Sequence, residues 1–88
     1  MEDKELFARL EAILRNPNNF EGALDLSDKE IITPEMNLRN DLGLDSLDLY
    51  EFLYQVEEEL GITIQDEKAN EFRCLKDCMN YLRDSKQI

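Results

Sequence analysis

Three stretches of this chain repeat apolar residues with the period of an α-helix, and that periodicity limits the possible folds more than any other feature. Asp3 to Arg15 sets Leu6, Phe7, Leu10, Ile13 and Leu14 on one face, and Asn16-Pro17-Asn18-Asn19 supplies the chemistry that stops it. A second helix is predicted from about Ser46 to Leu60, where Leu49, Phe52, Leu53, Val56 and Leu60 form one stripe and Gly61 stands at a left-handed cap position. Leu75 to Ser85 gives the third, through Leu75, Cys78, Met79 and Leu82. Ile62-Thr63-Ile64 reads as extended, and Glu67 to Glu71 as a short helix before Phe72. The expected fold is all-α: a four-helix bundle of three main helices and a short third one, with no sheet, as one domain over residues 1–88.

Phe20 to Asp45 has no clear period. Gly22, a capping Ser27, Thr33-Pro34 and Gly43 punctuate scattered apolar residues from Leu24 to Leu44, which predicts a long loop packed across the bundle between the first two helices. A short helical turn is expected around Glu21 to Leu26.

Composition narrows the function. The 88 residues hold 21 acidic and 10 basic side chains and no histidine, for a net charge of −11. Such a chain repels nucleic acid and anionic membranes, and its partners should present basic patches. At this length folding buries only roughly 60–65 % of the unfolded surface, which leaves little room for a deep catalytic cleft. No apolar run nears the roughly 20 residues that span a bilayer, and Met-Glu-Asp-Lys-Glu is too acidic for a targeting peptide, so the expected location is the cytoplasm. Cys74 and Cys78 stand four apart, and two thiolates without histidine leave half a zinc shell unfilled. They read as small core side chains.

Opposite its core stripe, the second helix gathers Leu47, Tyr50 and Tyr54 with Glu51 and Glu58, and with Asp48 and Glu57 at the margins. Aromatic area ringed by carboxylates is the composition of a docking surface. The competing reading is a wide core stripe, or tyrosines lying flat on the surface.

Asp41-Leu42-Gly43-Leu44-Asp45-Ser46-Leu47 places a serine where the second helix begins. Ser46 could serve as a helix cap alone, but Asp45 beside it can cap as well, which leaves the hydroxyl for other chemistry. The free N–H groups and dipole of a helix start favour a phosphate there. Hydrolysis by Ser46 lacks its usual base, since the chain has no histidine. The aspartates are out of register with a twelve-residue calcium loop, so no metal site is expected.

Asp41-Leu42-Gly43-Leu44-Asp45-Ser46-Leu47-Asp48 resembles the attachment motif of the acyl carrier protein family. The similarity extends through Ile32-Thr33-Pro34-Glu35-Met36, Glu57-Glu58-Glu59-Leu60-Gly61-Ile62 and, more weakly, Asp77 to Leu82. The resemblance implies an acyl-carrier-like bundle in which Ser46 receives phosphopantetheine from coenzyme A, with Asp45 and Leu47 beside the arm. The loaded chain would carry acyl thioesters in fatty-acid, polyketide or related biosynthesis. It implies a non-catalytic, monomeric carrier that is itself the substrate of a phosphopantetheinyl transferase. Its other partners would be acyl-transferring, synthase or ligase enzymes, met through Asp48, Tyr50, Glu51, Tyr54, Glu57 and Glu58. Leu44, Tyr50, Tyr54, Cys74 and the long loop depart from the common pattern and suggest a specialised member. A cargo chain folding back between the helices would meet Leu49, Phe52 and Leu53. The alternative is an unmodified, carrier-like interaction subunit.

Overall fold

The computed structural model describes residues 2–21 and 25–85, with the backbone alone at Asp66. Helix α1 spans Asp3–Arg15, α2 Ser46–Leu60, α3 Asp66–Ala69 and α4 Leu75–Asp84. The apolar periodicity of α1, α2 and α4 becomes the core. Leu6, Leu10 and Leu14 of α1, Phe52 and Val56 of α2, and Leu75, Cys78 and Leu82 of α4 are almost fully buried. Helix α1 packs against both α2 and α4, and the short α3 against α2.

The Asn-Pro-Asn-Asn breaker ends α1 and then makes one 3-10 turn, Pro17–Asn19. Proline fits its first position because a helix start does not use that N–H, and the Asn16 side chain accepts from Asn18 N at 3.0 Å. This turn packs on both α1 and α2. Gly61 ends α2 at φ +64°, and its N–H and that of Ile62 both reach the Glu57 carbonyl.

The long connection is held by its own apolar residues, of which Phe20, Leu26, Ile32, Leu38, Leu42 and Leu44 are buried. Polar anchors add to them. Arg15 pairs with Glu11 at 3.0 Å and donates to the carbonyls of Leu26 and Lys29. Leu38 N donates to Arg73 O at 2.8 Å and Lys76 N to Pro34 O at 2.9 Å. These bonds dock the connection onto the start of α4, around an isolated antiparallel bridge between Asn37 and Cys74. Among the described residues there is no strand.

Three local expectations are corrected. Helix α3 occupies Asp66–Ala69 instead of Glu67 to Glu71, because Ala69 is the buried residue that seats it. Helix α4 stops at Asp84. Ser27 caps no helix: its N–H and Oγ both donate to Asp25 Oδ1, at 2.9 and 2.6 Å, closing a local turn. The helical turn expected around Glu21 to Leu26 falls mainly on residues 22–24, outside the described residues.

Candidate functional site

The loop before α2 is built to deliver one short segment to the surface. Asn37 Oδ1 accepts from the N–H groups of Arg39 and Asn40, both at 2.8 Å, and Asp41 Oδ2 accepts from Asn37 N at 2.8 Å. Leu42 and Leu44 are buried on either side of Gly43, whose φ of +79° turns the chain between them. Leu44 N donates to Leu38 O at 2.9 Å. With both leucines anchored inward, Asp45, Ser46 and Leu47 emerge exposed.

Asp45 is the residue that caps α2. Its Oδ1 accepts from Asp48 N at 2.8 Å, and Asp48 Oδ2 accepts from Asp45 N at 3.1 Å, a reciprocal capping box. Ser46 is therefore the first helical residue, outside the cap, and its Oγ makes no hydrogen bond among the described residues. The N–H groups of Ser46 and Leu47 have no carbonyl a turn earlier to bond, as at any helix start. A phosphodiester on Ser46 Oγ fits this position: the hydroxyl is accessible and unspent, and the backbone beneath it presents positive dipole ends.

The structure brings Leu47, Tyr50 and Tyr54 together on the outer face of α2, 55 %, 46 % and 58 % exposed. Glu58 is exposed beside them. Its carboxylate, by charge and hydrogen bonding, holds the Tyr54 phenol above its ordinary pKa, with weaker contributions from desolvation and Glu57. Tyr50 donates to Asn70 Oδ1 at 3.4 Å.

The other carboxylates expected on this face have inward duties. Asp48 is buried at 6 % exposure, which corrects its expected place as a surface contact: the capping box draws it under the helix start. Glu51 is half-buried, and its Oε2 accepts from Glu21 N at 2.9 Å, fastening the connection to α2. Its Oε1 is buried with no hydrogen-bond partner among the described residues. Glu57, also half-buried, accepts from Ile64 N at 3.3 Å. The Asp-x-x-Asp spacing of Asp45 and Asp48 was the sequence signal for the box. No signal of comparable kind marks the Glu51 fastening, whose partners lie 30 residues apart.

Between the Pro17–Asn19 turn and α2 runs a surface groove of about 370 Å³, lined by Asn18, Asn19, Glu21, Tyr50, Glu51, Tyr54 and Gln55. Leu49, Phe52 and Leu53, the residues that a cargo chain folding back between the helices would meet, lie in the core at 3 % exposure or less. Among the described residues no three ligating side chains converge on a metal position. No helix among them is long and apolar enough to cross a membrane.

An acidic helical bundle that offers an uncommitted serine at a helix start has the form of a carrier that holds a phosphate-linked arm. A family model described as a phosphopantetheine attachment site matches residues 18–82. An acyl carrier protein of Treponema pallidum (strain Nichols) is 44 % identical over 79 residues, covering 90 % of this chain and 92 % of its own. One from Treponema denticola is 43 % identical over 60 residues, 68 % of this chain and 77 % of that protein. One from Lactobacillus acidophilus is 35 % identical over 83 residues, 94 % and 95 % of the two chains. The chain belongs to the acyl carrier protein family. It is a carrier of covalently held phosphopantetheine, and it works with synthase and transferase enzymes. The alternative of an unmodified interaction subunit is not favoured.

Proposed function

We propose that Ser46 is the residue that bears the phosphopantetheine arm, donated by coenzyme A through a phosphopantetheinyl transferase. The arm ends in a thiol that holds acyl groups as thioesters, and the chemistry on those groups takes place in partner active sites. The observation that carries this reading is the position of Ser46: exposed, first in α2, and excluded from the cap that Asp45 and Asp48 form. Asp45 and Leu47 flank the arm.

Partners with basic patches dock on the exposed Leu47, Tyr50, Tyr54 and Glu58, with Glu51 and Glu57 at the edge. Exposed ion pairs contribute only about 0.2–1 kcal/mol each, so such contacts set encounter rate and partner choice while release stays easy. The bulk of Tyr50 and Tyr54 supports a particular set of partners. The chain acts as a monomeric single domain over residues 1–88, in the cytoplasm.

Intact mass after incubation with coenzyme A and a broad-specificity phosphopantetheinyl transferase tests the assignment. Wild type should gain the mass of one arm and Ser46→Ala none. A gain that persists in Ser46→Ala moves the attachment elsewhere.

A further inference from the structure

We propose that the groove between the Pro17–Asn19 turn and α2 is the resting seat of the phosphopantetheine arm. The inference rests on attachment at Ser46. Leu49, Phe52 and Leu53 beneath α2 are buried, and the arm leaves the helix from the exposed Ser46. A depression within its reach follows from helix geometry. Tyr50 and Tyr54 succeed Ser46 by four and eight residues, which puts them on the same stripe, roughly 6 and 12 Å along the axis. Both line the groove.

Two other depressions are poorer seats. One is lined by Arg9, Ala12, Ile13, Asn16, Asn19 and Glu59, and its α2 residue lies roughly 20 Å along the axis from Ser46. The other, around Phe72, Asp77 and Tyr81, has no residue from α2.

The groove also matches the arm in chemistry. Beyond its phosphate the arm is uncharged: a dimethyl carbon, a hydroxyl, two amides and a thiol. Tyr50 and Tyr54 give apolar faces for the methyl and methylene groups, and Asn18, Asn19 and Gln55 give side-chain amides that pair with amides. Glu51 Oε1 is a buried acceptor that has no donor among the described residues. An arm amide N–H is a donor of the required kind. Tethering raises the arm's effective concentration at the groove to roughly millimolar, so a seat of about millimolar intrinsic affinity is about half occupied. The seat shares Tyr50 and Tyr54 with the docking face, and a partner that covers them displaces the arm toward its own active site.

The test compares ¹⁵N spectra of the unmodified and arm-bearing full chain, with intact mass recorded on the same samples and on Ser46→Ala. Loading should shift the side-chain amides of Asn18, Asn19 and Gln55 and the backbone amides of residues 50–55, besides those next to Ser46. In Gln55→Ala, a partly exposed groove position outside the docking face whose loss leaves the helical circular dichroism intact, the shifts at Asn18 and Asn19 should be at least halved while the mass gain persists. Shifts confined to residues 45–49 in a chain loaded at Ser46 overturn the groove and leave the attachment standing. A mass gain that survives in Ser46→Ala overturns both.

Discussion

Asp48 and Glu58 are both acidic residues of α2, yet the structure gives them opposite duties. Asp48 closes the capping box from a buried position, and Glu58 stands in solvent beside Tyr54. Asp48→Lys removes one half of the box and puts a cation at the positive end of the helix, so it should lower stability by about 0.5–2 kcal/mol in urea unfolding. Glu58→Lys should leave the urea midpoint within about 0.5 kcal/mol while slowing association with a partner enzyme. Equal effects on stability would remove the distinction between cap and docking contact. The two cysteines divide in the same way. Cys78 is buried, and burial, with Asp77 adding to it, pushes its thiol up to about 12, whereas Cys74 is half-exposed. Native protein near pH 8.5 should take up one equivalent of iodoacetamide, at Cys74, and a second only after unfolding. The sign of the linked stability follows. The folded state keeps the Cys78 proton while the unfolded thiol loses it above about pH 8.5, so this contribution is complete below that pH and declines as pH rises toward 12.

Among the elements, Gly61 carries the sharpest prediction. At φ +64° it terminates α2, and a Cβ built there meets nothing within 4 Å, so Gly61→Ala is penalised by backbone conformation alone. The expected loss is about 1 kcal/mol, read as a lower urea midpoint with an unchanged slope. A larger loss with a changed slope would mean that the cap organises more than the end of one helix. This glycine, the three main helices and the serine at the start of α2 were legible in the sequence because each leaves a local mark: a 3.6-residue apolar period, a cap residue, a breaker. Helix α3 was misplaced by a residue or two because four residues with one buried alanine contain no period to read. The fastenings of Glu51 to Glu21 N and of Arg15 to the Leu26 and Lys29 carbonyls join distant backbone groups. Such pairings leave no trace in composition, and for that reason the part Glu51 plays in holding the connection was not visible in the sequence.

At the scale of the whole molecule, folding gathers a net charge of −11 into a body with a radius of gyration of 11.9 Å. The unfolded chain spreads the same charge over a radius of roughly 29 Å. Most like charges in the folded state thus lie within one or two Debye lengths of each other at about 0.1 M salt, where that length is about 10 Å. Salt has two opposing effects. It relieves this repulsion, which stabilises the fold, and it weakens the ion pairs Glu11–Arg15, Lys68–Glu71 and Asp3–Arg83. Those pairs are at least partly exposed, and such contacts are worth about 0.2–1 kcal/mol each, only part of which screening removes. Repulsion among eleven unbalanced charges should therefore win, and raising sodium chloride from about 0.02 to about 0.5 M should raise Tm by roughly 4–8 °C, the shift that about 1 kcal/mol produces in a domain of this size. A general salt effect on hydrophobic burial would give the same sign, so a charge-reduced variant is needed to separate the causes. Glu30, Glu35 and Glu59 are exposed and belong to none of those ion pairs. With all three changed to glutamine, the protein should melt above wild type at low salt, and the difference should shrink as salt is added. A difference that persists at high salt, or a wild-type Tm that falls with salt, would show that packing or the ion pairs, and not the accumulated negative charge, set the response.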